Sequence, residues 1–191
     1  MPLHVVTPLI ESVPMSKACG KEVLLKLENT QPSASFKIRG IGKLCEQLKA
    51  EGKKVFICPS SGNGGYSTAW ACRKLGVKAI IPAPSGTPKD AIEAIESLGA
   101  EVIVKEGTWN VANEYALALA ASSPENVYVT PYDDPVLWDG HATMIDEIAE
   151  QAPWKPDLVI CAVGGGGLIS GVTEGLIRNG WGDVPDRKSV V

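Results

Sequence analysis

Histidine is nearly missing from this 191-residue chain, which has two, and phenylalanine is equally scarce. The five cysteines are odd in number and widely spaced, and no C-x-x-C pair occurs. So few thiols and imidazoles in such a pattern argue against a structural zinc site or a disulfide framework. Cys45, Cys58, Cys72 and Cys161 sit in apolar segments, where a free thiol behaves as a small buried hydrophobe. No apolar run approaches the roughly 18 residues of a bilayer span. The opening MPLHVVTPLIESVP has neither a basic start nor a continuous apolar stretch, so no secretory signal is expected and the chain reads as cytoplasmic. Blocks of like charge are also absent and the net charge is -4, which gives no electrostatic footprint for nucleic acid or for an anionic membrane. A small molecule is the default partner.

What the chain does have is 45% hydrophobic residues in two alternating periods. Short β-rich runs fall at 22–28, 54–59, 77–83, 100–106, 126–131 and 157–164. Helical spacing falls at 36–50, 64–75, 88–98, 108–122, 139–150 and 167–178. Strands alternating with helices predict an α/β fold with a mostly parallel sheet. The stretch PYDDPVLWDGH (131–141), with two prolines and no periodicity, is the best internal boundary.

Three motifs carry chemistry. In AVGGGGLISG (162–171), four successive glycines follow an apolar strand and precede a helix. Bare backbone amides can converge there as an anion nest suited to phosphate, whereas a tight turn alone needs one or two glycines. Leu168, Ile169 and Ser170 break the G-x-G-x-x-G spacing, and no GKS or GKT follows, so neither a dinucleotide fingerprint nor a P-loop is present. In PSSGNGGYS (59–67), also after a strand, Ser60, Gly62, Asn63, Gly64 and Gly65 offer donors for a carboxylate or a ring oxygen. The third motif is PSASFKIRG (32–40), which sets Lys37 at the start of a helix.

In this order, PSASFKIRG, SSGNGG and VGGGGL resemble the fold-type II, tryptophan-synthase β-like enzymes that use pyridoxal 5'-phosphate. PLHVVTPL, GHATMIDEI and GWGDVP narrow the resemblance to the L-serine/L-threonine dehydratases. It implies that Lys37 is the catalytic lysine whose amine condenses with the cofactor aldehyde and later takes the substrate's Cα proton. Phe36 would lie against the cofactor ring and Asn63 would bond its 3'-oxygen. Gly164, Gly165, Gly166, Gly167 and the amide of Leu168 would hold its phosphate. Ser60, Ser61, Gly62, Asn63 and Gly64 would hold the substrate carboxylate. The implied reaction is α,β-elimination giving pyruvate, or 2-oxobutanoate from threonine, and ammonia. The resemblance further implies a lyase of amino-acid catabolism serving gluconeogenesis, with a homodimer as the family's assembly and no metal among the residues named. Competing readings are a β-replacement or threonine-synthase-like enzyme, and a non-catalytic fragment that acts at most as a binding or association module.

The same resemblance implies two open twisted α/β sheets. Residues 1–43 and 137–185 would belong to a larger domain, here incomplete, and 44–136 to a smaller one. The last six residues, DRKSVV (186–191), read as a non-family tail with no strand to resume. Outside the motifs, Arg39 is expected in a structural ion pair, and His4 and His141 as hydrogen-bonded or surface histidines. Tyr132, Asp133 and Asp134 are expected at the mouth of the cleft.

Overall fold

The computed structural model describes residues 1–190. Strands β1 (Leu9–Glu11) and β2 (Leu24–Lys26) pair antiparallel across helix α1 (Val13–Cys19). The strand expected over 22–28 is cut short because a 3-10 turn takes Glu28–Thr30. That turn aims the Glu28 carboxylate at Arg39. Helix α1 was not anticipated, although Pro14 in its first turn and a left-handed Gly20 after its end are ordinary boundary marks.

Strands β3 (Val55–Ile57), β4 (Lys78–Pro84), β5 (Glu101–Lys105) and β6 (Asn126–Tyr128) form an all-parallel sheet in the order β5-β4-β3-β6. Parallel neighbours require crossovers, supplied by α3 (Asn63–Leu75), α4 (Lys89–Glu96) and α5 (Trp109–Ala121). Side chains alternate across the sheet as the period of two demands. Phe56, Ala79 and Ile81 join one core with Ala69, Cys72 and Ile95 of α3 and α4. Val55, Ile57 and Ile80 join the other, under Ala116 and Leu119 of α5. Both faces are therefore covered, and the strands read as continuous apolar runs.

Three further helices, α2 (Lys37–Ala50), α6 (Pro135–Gln151) and α7 (Gly167–Arg178), are joined where glycines admit a neighbour's backbone. A methyl group on Gly40 would lie 2.6 Å from the Leu137 carbonyl oxygen, and one on Gly140 would lie 2.6 Å from Gly40 Cα. On Gly171 it would lie 2.6 Å from the Trp138 carbonyl oxygen, and on Gly175 2.8 Å from that of Ala142. Gly40, Gly140 and Gly171 all fall within the first two turns of their helices. The close crossings therefore bring the three N-terminal ends together.

Helix α6 starts four residues earlier than the expected 139. Asp134 accepts a hydrogen bond from the Val136 amide at 2.7 Å and Pro135 occupies the first turn. The Asp-Pro pair that read as loop is thus a helix cap. Behind α6 and α7, β7 (Val159–Val163) turns Val159 and Cys161 toward Ile145, Val172 and Leu176, while Ile160 on its other face is 69% exposed. The reading of 186–191 as a tail without a strand is corrected: β8 (Asp186–Val190) pairs parallel with β7, its backbone completing a β–α–β crossover through α7. Val191 lies outside the described residues. The boundary expected at 43/44 falls inside α2, which runs across it unbroken. Among the described residues no helix is long and apolar enough to cross a membrane.

Candidate active site

Parallel strands deliver their loops to one edge, and β3 and β6 are direct neighbours. Past β3 the chain runs through Cys58 and Pro59 into Ser60–Gly65. Past β6 it runs through Val129, whose amide bonds the Ile57 carbonyl at 2.8 Å, into Thr130–Asp134. Lys37 and Gly164–Gly167 arrive at the same place on the N-terminal ends of α2 and α7.

Pro131 and Tyr132 are where the three motifs meet. Lys37 Nζ donates to the Pro131 carbonyl. A methyl group on Gly64 would touch Pro131 Cβ at 3.4 Å. One residue on, the Tyr132 ring occupies the space a side chain on Gly165 would need, and a methyl on Gly167 would lie 2.5 Å from the Tyr132 carbonyl oxygen. The lysine and both glycine loops therefore rest on two consecutive residues.

Lys37 is half-buried. Burial lowers its pKa from the ordinary lysine value, with the nearby Cys58 thiol acting weakly in the opposite sense. A neutral amine is thereby easier to reach than on an exposed lysine. Its Nζ lies 5.4 Å from the centre of the Phe36 ring. The loop before it is anchored to α3, since Ser67 Oγ donates to Ser33 Oγ at 2.9 Å. It also carries Ala34 in the left-handed region at φ 57, a conformation that costs a non-glycine residue roughly 1–2 kcal/mol. Ser35 Oγ, two residues before Lys37, is buried with no hydrogen-bond partner.

The Ser60–Gly65 loop needs its glycines. A side chain on Gly65 would run into the Ser60 carbonyl, and one on Gly64 would lie 2.8 Å from Ser60 Oγ. Ser60 and Ser61 are half-buried, while Gly62 and Asn63 are exposed. Asn63 is the first residue of α3, so the loop's amides stand among the unbonded N–H groups of a helix start. In the second loop Gly166 precedes α7 at φ 90, a value that favours glycine. Side chains on Gly164 and Gly166 would meet nothing within 4 Å, whereas those on Gly165 and Gly167 would strike Tyr132. One side of the nest is thus packed and the other open. The Leu168 amide lies in the first turn of α7, and the Leu168 side chain packs toward Val172 and Leu176.

Arg39 is fully buried. Nε and Nη2 contact Glu28 at 2.7 and 2.8 Å, and Nη1 and Nη2 contact Glu147 at 2.6 and 2.9 Å. Burial alone would lower its pKa, but the bonds to the two carboxylates outweigh that and raise it. Lys26 adds a 2.6 Å contact to Glu147. The expected structural ion pair is present and ties β2, α2 and α6 together behind Lys37.

His141 departs from expectation. It is neither on the surface nor hydrogen-bonded: its side chain is wholly buried and both ring nitrogens are unpartnered. Burial first, then Lys37 and Arg39, lower its pKa to about 3, and its ring meets that of Phe36 edge-on at 5.0 Å. His4 is half-buried and its pKa is also lowered, chiefly by burial. Cys45, Cys58 and Cys72 are buried as expected, but Cys161 is half-buried and Cys19 exposed. Asp134 caps α6 and so has a structural use at the cleft. Sequence reading missed Pro131, which acts through its carbonyl. It also missed Trp109 and Trp138, whose indoles hold the Pro59 carbonyl at 2.5 Å and the Tyr132 carbonyl at 3.0 Å. No periodicity or spacing marks any of these.

An amine of lowered pKa, an amide nest open on one side and a second donor loop suit a ligand bearing an aldehyde and a phosphate. The architecture is the tryptophan-synthase β-like, fold-type II arrangement. Residues 1–186 match the family described as pyridoxal-phosphate dependent enzyme, and the chain belongs to that family. It is 47% identical over 184 residues to the human L-serine dehydratase/L-threonine deaminase, covering 96% of this chain and 56% of that protein. It is 46% identical over 197 residues to the L-serine dehydratase of Dictyostelium discoideum, with the same coverage. The crystal structure of a fungal L-serine ammonia-lyase from Rhizomucor miehei is similar at a TM-score of 0.94 and 36% identity, over all of this chain and 61% of that one. A processed threonine deaminase from Solanum lycopersicum is similar at a TM-score of 0.90 and 30% identity, over 98% of this chain and 54% of that one. The chain therefore spans just over half the length of the curated relatives it matches.

Proposed function

We propose that the chain carries the cofactor- and substrate-binding half of an L-serine/L-threonine dehydratase. The observation that supports this best is that Lys37 Nζ bonds Pro131 while the adjoining Tyr132 bears on the Gly164–Gly167 nest. In this reading Gly164 to Gly167 and the Leu168 amide hold the phosphate of pyridoxal 5'-phosphate. The positive end of α7 adds to their pull. Asn63 bonds the cofactor's 3'-oxygen and Phe36 supports its ring. Amides and hydroxyls of Ser60, Ser61, Gly62, Asn63 and Gly64 orient the substrate carboxylate.

Bound cofactor supplies an electron sink for charge developing at the substrate's Cα. Lys37 first offers the amine to which the cofactor attaches. Its Nζ, displaced by the substrate's own amine and easier to deprotonate because it is half-buried, would then take the Cα proton. Water leaves with the β-hydroxyl and is taken up again as the nitrogen is released, so serine gives pyruvate and ammonia in net, and threonine 2-oxobutanoate and ammonia.

The finer assignments belong to the same proposal. They are a larger domain of 1–43 with 137–185 around a smaller 44–136, homodimeric assembly, and a cytoplasmic role in amino-acid catabolism and gluconeogenesis. The test is to add pyridoxal phosphate and L-serine to the chain and assay pyruvate. Pyruvate formation that Lys37→Ala abolishes supports the reading. Turnover of O-acetylserine plus sulfide without any pyruvate from serine would move it to β-replacement. Cofactor binding with no turnover of either would leave a binding fragment.

A further inference from the structure

Tyr132 sits at the crossing of the motifs, yet no role follows for it from cofactor or substrate chemistry. It is half-buried, and its ring takes up the space beside Gly165 that any side chain there would need. Its carbonyl oxygen approaches Gly167 and at the same time accepts the Trp138 indole N–H at 3.0 Å. The turn is held from below, where Thr130 Oγ1 receives the Asp133 amide at 3.1 Å. Asp134 then caps α6. Tyr132 is thus clamped at both ends of its own segment, whereas the nest is tied at its helix end, where the Gly166 carbonyl accepts the Ser170 amide at 3.0 Å and Ser170 Oγ at 3.1 Å. Gly164 and Gly165 are exposed, and glycine backbones lose the most conformational freedom on ordering.

The alternation within the nest follows from this contact. Positions 165 and 167 turn toward Tyr132, and positions 164 and 166 turn to open space. A rigid residue on one side selects a single arrangement of four permissive residues, with amides left free to face a ligand on the other. Donors fixed in advance bind an anion without the cost of ordering them at the moment of binding.

We propose that Tyr132 is a positioning residue for the phosphate end of the site: its ring and carbonyl template the Gly164–Gly167 nest, and Gly165 is glycine because the ring stands against it. This rests on reading the nest as a phosphate site, which makes its effect specific to that end of the cofactor. Lys37, held by the carbonyl of the preceding Pro131, keeps its partner whatever the side chain at 132.

The test has two arms. Hydrogen exchange in the free chain should show the amides of Gly164–Gly167 exchanging severalfold faster in Tyr132→Ala and unchanged in Tyr132→Phe, which retains the ring. Titration with pyridoxal phosphate and with pyridoxal, which keeps the aldehyde but lacks the phosphate, should show about tenfold weaker binding of the first to Tyr132→Ala, the worth of one charge-assisted hydrogen bond. Pyridoxal affinity should be unchanged, and Tyr132→Phe should match the wild type with both ligands. Gly165→Ala should reproduce the selective loss, and adding it to Tyr132→Ala should cost little more, because both remove one contact. Wild-type exchange rates in Tyr132→Ala, or equal losses for the two ligands, would overturn the proposal. If the exchange effect is present but the wild-type chain binds neither ligand, the packing role stands and the phosphate-site reading is what fails.

Discussion

Lys37 Nζ donates to the carbonyl of Pro131, 94 residues along the chain, and this bond joins the start of α2 to the loop that leaves β6. No side chain at position 131 could be selected to make it, since the acceptor is backbone. What selects it is the crossing of α2 and α6 at Gly40 and Gly140, which sets how near the two N-terminal ends can come.

The crossing of α6 and α7 at Gly171 makes a prediction about sign. Alanine in place of glycine in an exposed helix normally stabilises by up to about 1 kcal/mol. Gly171→Ala should instead destabilise by roughly 1–3 kcal/mol, because the new methyl would meet the Trp138 carbonyl oxygen at 2.6 Å and His141 Cβ at 2.5 Å. Urea unfolding midpoints of Gly171→Ala and wild type decide between the two signs.

Arg39 should be the most costly charge to remove. Arg39→Ala leaves Glu28 and Glu147 without their shared partner behind α2, a loss of about 3–5 kcal/mol for a buried pair broken on one side. Arg39→Lys should recover only part of this, since an ammonium cannot fork between two carboxylates. Denaturant melts of the two variants give the comparison.

Acid sensitivity should begin earlier than carboxylates alone would cause. His141 has a folded-state pKa of about 3 against an unfolded 6.5, so between those values the unfolded chain binds the extra proton. Stability from this residue is full above pH 6.5 and falls by up to about 1.4 kcal/mol per pH unit below it. Glu147 has its pKa lowered; burial opposes this but the Arg39 and Lys26 bonds prevail. Its contribution is therefore present above the ordinary carboxylate value and is lost as pH falls further. Unfolding free energy measured from pH 7 to 5 should slope downward in the wild type and less steeply in His141→Asn, with His4 supplying the remaining slope.

Much of this was legible in the residues and some was not, for identifiable reasons. The parallel sheet was readable because runs such as KVFICP and VKAIIPA are apolar on both faces, which only a doubly covered strand can afford. Lys37 and the two glycine loops were readable because each is a local pattern. The start of α6 was not, because an Asp-Pro pair marks a turn as readily as a helix start, and here it caps a helix. Tyr132 is expected at the cleft, but its packing against the glycine nest, and the unpartnered burial of His141, are not readable for a different reason. Their environments are assembled from elements far apart in sequence, and the glycines that admit them look, in one dimension, like weak points of the chain.

The central claim is that Lys37 is the residue that takes up the cofactor. Incubating the chain with pyridoxal phosphate, reducing with borohydride and mapping the peptides by mass should place a single cofactor adduct on Lys37. Lys37→Ala should carry none under the same conditions. An adduct spread over surface lysines, or unchanged labelling in Lys37→Ala, would contradict it.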